Sequence, residues 1–294
     1  MNNVDDIIAG SNNESTKQEF DKNSWAKKKQ EDRKMCYDLM HKTADDIKTN
    51  PEMFKTYLDI QGKFDKYSVG NALLITSQMP NATQLKEFND WKELGAYIKK
   101  NQTGITILEP GDTYVRPDGS TAPSYNPKKM FDVSQTTFKP LAVNSKYDDK
   151  AKLTGLLKEC PVDIKVVDTI DDFDSIAKWS KEDNVLFVKR GIEPQIGFKE
   201  ISRELARASL EETGNNELDN FKCKCTAYML CKKYDIDVSD FSFNSLPQAL
   251  QEMNSGEVRN ELSSMRNTME DINGRMSQHF QNISKTHKTK EQER

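Results

Sequence analysis

The sequence predicts an α+β protein: N-terminal helices with a small antiparallel sheet, then a second α+β region, then a C-terminal helix. Three observations predict it. Between residues 24 and 80 apolar residues recur at helical spacing. From about residue 96 to 136, short apolar runs alternate with clusters of Asn, Gly, Pro and Ser. Beyond residue 150, two short runs, VDIKVV and NVLFVK, precede three long helical patterns.

Ser24 is placed to cap a first helix running to about Asn50, because Pro51 disfavours helical backbone at the residue before it. Its inward positions are Cys36, Leu39, Met40, Thr43 and Ile47. A second helix follows Pro51 through Met53, Phe54, Tyr57 and Leu58, and a third starts at Ser68 and ends before Pro80. Trp91, Leu94 and Gly95 close a short helix. AYIKK and ITILEP read as two strands about the turn 101–104, where Asn101 and Gly104 tolerate positive φ. VRPDGSTAPSYNPKK reads as a loop, and MFDVSQT as a strand. Further helices are expected at about 150–160, 194–212, 218–234 and 247–283.

These elements divide the chain into a polar, disordered start at 1–20, a first domain at 21–138 and a linker at 139–149. A second domain follows at 150–246, then the C-terminal helix at 247–283 and a charged tail at 284–294. At 294 residues the chain is long enough for two ordinary domains. It has no run of 18 apolar residues and no basic start followed by an apolar stretch, so neither a membrane span nor a signal peptide is expected. Five cysteines, an odd number, fit a reducing cytoplasm. The net charge is −4, which excludes a general polycation. Residues 21–140 nevertheless hold 19 Lys and Arg against 16 Asp and Glu, a surplus that permits a nucleic-acid partner without demanding one.

The stretch at 67–110, continued by KKMFDVSQT at 128–136, carries several uncommon residue types at fixed spacing. They are Asn71, Gln78, Pro80, Ala82, Thr83, Trp91, Leu94, Gly95, Lys99, Lys100, Gly104, Ile105, Ile107 and Pro110. This pattern resembles the N-terminal single-stranded-DNA-binding domain of ArdC-type antirestriction proteins, found on plasmids and conjugative elements. One departure is the turn Lys-Lys-Asn-Gln-Thr-Gly, which has one cation fewer than the family's usual turn. Sequence-independent binding of single strands needs a basic groove and aromatic faces on which bases stack. The candidates are Lys99 and Lys100 with Trp91 and Tyr97, Lys128 and Lys129 with Tyr125 and Phe131, and Tyr67 at the start of the third helix. The bland alternatives are a buried Trp91 and a solvated Lys99-Lys100 turn.

The stretches at 184–213 and 221–243 resemble the zincin-like metallopeptidase domain that follows in the same family, most closely its LtrC-like members. In that pattern H-E-x-x-H supplies two zinc ligands and a general base, and a later helix supplies a third ligand. Here the motif reads Arg203-Glu204-x-x-Arg207, and the later acidic positions read Lys222 and Lys224. Guanidinium has no lone pair to offer a metal. The resemblance therefore implies a degenerate, catalytically inactive site with no metal and no cofactor. Read without it, Arg203 and Arg207 form ordinary helix pairs with Glu200 and Glu211. If the fold is kept, Arg203, Arg207 and one or both of Lys222 and Lys224 converge. They then either splay into such pairs or form an anion site. Cys223, Cys225 and Cys231 read as small residues packed within one helix, since i and i+2 point apart.

The expected function is that of a cytoplasmic single-stranded-DNA-binding protein of a mobile element, protecting or managing transferred DNA. Its partners would be single-stranded DNA and conjugation or DNA-processing proteins, with no membrane. The alternatives are a metal-dependent hydrolase using Glu204, or a protein-interaction module built on the 247–283 helix.

Overall fold

The computed structural model describes residues 22–140, 147–158, 160–170 and 175–292, with side chains from 24 to 284 within those segments. The expected disordered start, and most of the expected linker, lie outside the described residues.

Three helices come first among the described residues: α1 (Lys22–Ile47), α2 (Pro51–Lys63) and α3 (Val69–Gln78). Their starts follow from local chemistry. Asn50 caps α2 by accepting the Met53 N–H, and Pro51 takes the first helical position, where a missing N–H costs nothing. Ser68 caps α3 through the Asn71 N–H. A two-residue strand β1 (Leu85–Lys86) and a short helix α4 (Phe88–Glu93) come next, then the hairpin β2 (Ile105–Val115) and β3 (Thr121–Asp132). The sheet order is β1-β3-β2, all antiparallel.

Two expectations fail here. The segment from Val115 to Lys129 is not a loop: most of it is the far end of the hairpin, with Val115 opposite Thr121 and Leu108 opposite Pro127. Pro123 and Pro127 are tolerated because β1 reaches only Phe131 and Asp132, so β3 has no second neighbour at the prolines. Residues 96–100 do not pair with 105–110. Gly95, at φ 71°, turns the chain after α4, and Asn101, at φ 60°, turns it again. Between these turns the chain runs beside 135–137, with Lys99 N–H donating to Gln135 O and Thr137 N–H to Tyr97 O, both at 2.9 Å.

The free edge of β2 is closed by side chains of α3. Asn71 donates to Leu108 O at 2.9 Å and accepts from Leu108 N–H at 2.8 Å. Gln78 does the same for Thr106, at 2.9 Å in each direction. Asn and Gln seven residues apart lie on one face of a helix, and two residues apart in a strand point the same way. The two amides thus stand in for a missing strand and satisfy an edge that would otherwise be open.

The second half contains α5 (Asp149–Leu157), then a mixed sheet of β4 (Asp163–Val167), β5 (Ala177–Ser180) and β6 (Val185–Lys189) in the order β4-β6-β5. β4 and β6 are the two expected strands; β5 was not expected. The helices α6 (Pro194–Ser209) and α7 (Asn216–Lys233) pack on one another. The expected C-terminal helix is split into α8 (Gln248–Glu252) and α9 (Ser255–Gln292), and α9 continues past the expected end. Asn254 sits between them and accepts the N–H groups of Gly256 and Glu257, which starts α9 afresh.

The two halves share one continuous core. Phe54 of α2 meets Phe221 of α7 at 5.2 Å between ring centroids, and Phe243 packs edge-on against Phe221 at 6.1 Å and Tyr228 at 5.1 Å. Gly62 allows α2 to approach α7, since a Cβ there would lie 3.1 Å from Met229 O. Polar ties cross the same boundary: Tyr228 donates to Asp59 at 2.9 Å, and Lys233 pairs with Asp65 at 2.8 Å. Along α9, Val258, Leu262, Met265, Met269, Ile272, Met276 and Phe280 recur every three or four residues, and all are buried. That stripe lays α9 against α7, α1 and α5.

Candidate nucleic-acid interface

The residues singled out in the first half do not form one site. Trp91 is excluded as a stacking face. It is wholly buried, its Nε1–H donates to Phe131 O at 2.9 Å, and its ring lies 5.6 Å from Phe138. A large ring closing a short helix against a sheet fills the core, and its one polar atom needs an internal partner. Tyr97, Lys99 and Lys100 are all on the exposed segment after Gly95, and Lys99 Nζ donates to Ser134 O at 2.8 Å. Lys129 is turned towards β2, where it donates to Thr106 Oγ1 at 2.5 Å.

Tyr67, Tyr125 and Lys128 do come together. They line a cleft of about 360 Å³ at the start of α3, with Lys66 and Glu109. A neighbouring cleft of about 490 Å³ shares Ser68, Asn71, Leu108 and Tyr125 with it and adds Tyr37 of α1 and Arg259, Asn260 and Ser263 of α9. Tyr125 stands where the two meet, 37% exposed. Burial pushes the Tyr67 hydroxyl above the usual tyrosine range, opposed by the nearby Lys128 charge.

The cations of this double cleft are not equivalent. Lys128 is held by Glu87 at 2.5 Å and Glu109 at 2.7 Å, and these two hydrogen bonds raise its pKa. Lys66 and Arg259 have no carboxylate within 4 Å among the described residues, and Arg259 Nε is buried without a partner. The sequence reading missed Tyr37, Lys66 and Arg259. Lys66 stands beside a chosen residue, so proximity alone could have found it. Tyr37 and Arg259 are brought in by packing of α1 and α9, which no local pattern encodes.

The Arg-Glu-x-x-Arg face of α6 forms a different cavity. Phe198, Ile201 and Leu205 bury the opposite face and turn the two arginines outward. Arg203 pairs with Glu200 at 2.9 Å, as expected. Arg207 does not pair with Glu211. It bonds Glu204 at 3.2 Å and Asn220 at 2.8 Å, because α7 brings Asn220 within its reach. Glu204 is itself buried, and its second oxygen accepts the Trp179 N–H of β5 at 2.9 Å. Lys222 leaves the group altogether: it is buried and pairs with Glu261 of α9 at 2.6 Å. Lys224 stays with the arginines. Two guanidinium groups and an ammonium offer no ligand to a metal ion, so this face does not fit zinc. Cys223, Cys225 and Cys231 are buried, and burial pushes the Cys223 thiol up to about 11.

Comparison with known proteins agrees with the first half. Residues 40–141 match the family model described as the N-terminal domain of anti-restriction factor ArdC. The chain is also similar to two crystal structures of the antirestriction ArdC protein from R388 plasmid. For the metal-free form the identity is 12% and the TM-score 0.48, over 72% of this chain and 86% of that one. For the Mn(II)-bound form the values are 13% and 0.47, over 71% and 85%. No curated protein sequence matches. No helix among the described residues is long and apolar enough to cross a membrane. Residues 40–141 thus form an ArdC-type N-terminal domain.

Proposed function

We propose that this protein binds single-stranded DNA through the double cleft at the start of α3, and that it protects or manages DNA during transfer of a plasmid or conjugative element in the cytoplasm. The observation that carries the reading is the placement of Tyr125 between Tyr37 and Tyr67, with Lys66 and Arg259 uncommitted to any carboxylate. Stacked bases need aromatic faces, and the backbone that links them needs unpaired cations. The ArdC-type N-terminal domain supports the same role, and conjugation or DNA-processing proteins are the partners that role would require.

In this reading the second half is not a hydrolase. Glu204, the residue placed as a general base, has one oxygen committed to Arg207 and the other to the backbone of β5. Both oxygens thus already serve as structural acceptors, which supports a structural rather than a catalytic role. The test is a titration with labelled single- and double-stranded oligonucleotides at two salt concentrations. The single strand should bind more tightly, with little sequence preference. Tyr125→Ala should weaken it by ~1–3 kcal/mol, the worth of one stacked base. Equal affinity for both forms, or an unaffected Tyr125→Ala variant, rejects the proposal.

A further inference from the structure

The cavity beside the Arg-Glu-x-x-Arg helix presents three cations, one of which, Lys224, has no carboxylate partner among the described residues. It measures about 440 Å³ and is lined by Arg203 and Arg207 of α6, Glu217, Asn220 and Lys224 of α7, and Ser245 beyond it. Three cations therefore face one carboxylate. Glu200 and Glu204 hold the two arginines from behind and do not line the cavity. Arg203 keeps a buried Nε with no partner.

Lys224 is the most exceptional of the three. Among the described residues no carboxylate lies within 4 Å of it. Its Nζ donates to Ser242 O at 2.8 Å and sits over the Phe221 and Phe243 rings, at 5.3 and 4.9 Å from their centroids. Burial lowers its pKa, and the neighbouring Arg203 charge lowers it further. A partly desolvated ammonium with no carboxylate of its own favours the entry of an anion.

We propose that this cavity is a binding site for a phosphomonoester dianion. Lys224 has no carboxylate partner among the described residues, and a phosphomonoester, with close to two negative charges at neutral pH and three acceptor oxygens, can be shared between that ammonium and the two guanidinium groups beside it. Two guanidinium forks held in place by Glu200, Glu204 and Asn220 present fixed N–H donors, which suits three tetrahedral oxygens better than it suits a diffuse surface contact. Such a group has two sources: the 5′-phosphate end of a nucleic-acid strand, or a small free phosphate compound. The site does not depend on the Tyr125 cleft, so each reading can fail alone.

The experiment is calorimetric titration of the full chain with inorganic phosphate, and with one single-stranded oligonucleotide carrying either a 5′-phosphate or a 5′-hydroxyl. Wild type should bind inorganic phosphate, and Lys224→Gln and Arg203→Gln should each weaken that binding by about tenfold, the factor set by one charge-assisted hydrogen bond. Glu217→Gln should tighten it, a gain that misfolding cannot produce. Weaker binding of the 5′-hydroxyl strand identifies a strand end as the source; phosphate binding with no difference between the strands identifies a free phosphate compound. No phosphate binding by wild type, or equal binding by all three variants, overturns the proposal.

Discussion

Asn71 exchanges two hydrogen bonds with the backbone of Leu108, donating at 2.9 Å and accepting at 2.8 Å, and both residues are buried. The bonds attach α3 to the free edge of β2 at the point where the two clefts meet. Replacing Asn71 by Ala would leave one buried donor and one buried acceptor without partners. We expect a loss of ~2–4 kcal/mol in urea unfolding. Asn71→Asp should be worse at neutral pH, because a carboxylate oxygen would face the Leu108 carbonyl. Thermal melts at pH 7 test the order wild type, Ala, Asp.

The helices of the first half were legible in the sequence where side chains declare a local role. Ser68 and Pro51 announce helix starts, and the apolar spacing of α1 to α3 needs only itself, whereas Ser24, read as a cap, lies inside α1, which is already helical at Lys22. Asn71 and Gln78 were visible as unusual residues, but their purpose requires β2 to be in place. The hairpin's outer half was hidden because Pro, Gly and Ser there imitate a loop. β5 was hidden because its four residues, Ala177–Ser180, gain their strand character from β6 and from Glu204. Trp91 was legible only as a choice between core and surface, and Tyr37 and Arg259 join the cleft through contacts far apart in sequence.

Asp132 gives a pH prediction. Burial tends to raise its pKa, but backbone N–H groups of Thr83 and Gln84 on one oxygen and Ser134 on the other outweigh that, and the net shift is downward. A depressed folded value means the group stabilises the fold above its unfolded pKa of about 3.9, and the contribution disappears as pH falls through the folded value. Wild type should therefore lose stability steeply below about pH 4. Asp132→Asn should be weaker at pH 7, by on the order of 3 kcal/mol, and flatter in acid. Parallel pH–stability curves for the two proteins would refute this account.

Salt dependence separates the cations of the double cleft. Each phosphate contact to a single strand contributes roughly 0.7 to the slope of log affinity against log salt. Replacing Lys66 and Arg259 together by Gln should lower that slope by about 1.4. Lys128→Gln should change it little, since Glu87 and Glu109 already answer that charge. A larger effect from Lys99 and Lys100 would move the DNA path to the turn after Gly95.

Glu204 supplies the last prediction, because its position in the sequence suggests chemistry and its surroundings describe a joint. One oxygen accepts the Trp179 N–H on the outer edge of β5, and the other holds Arg207. The side chain thus ties α6 to the small sheet, much as Asn71 ties α3 to β2. Glu204→Ala should orphan a backbone donor and release Arg207, at a cost of ~1–3 kcal/mol. Glu204→Gln should recover part of the loss, since its carbonyl oxygen can still accept from Trp179. A residue kept for proton transfer behaves differently: its amide variant would leave the melting temperature unchanged while abolishing turnover. Melting curves of wild type, Gln and Ala variants therefore decide the role, and an unchanged Ala variant would remove the structural one.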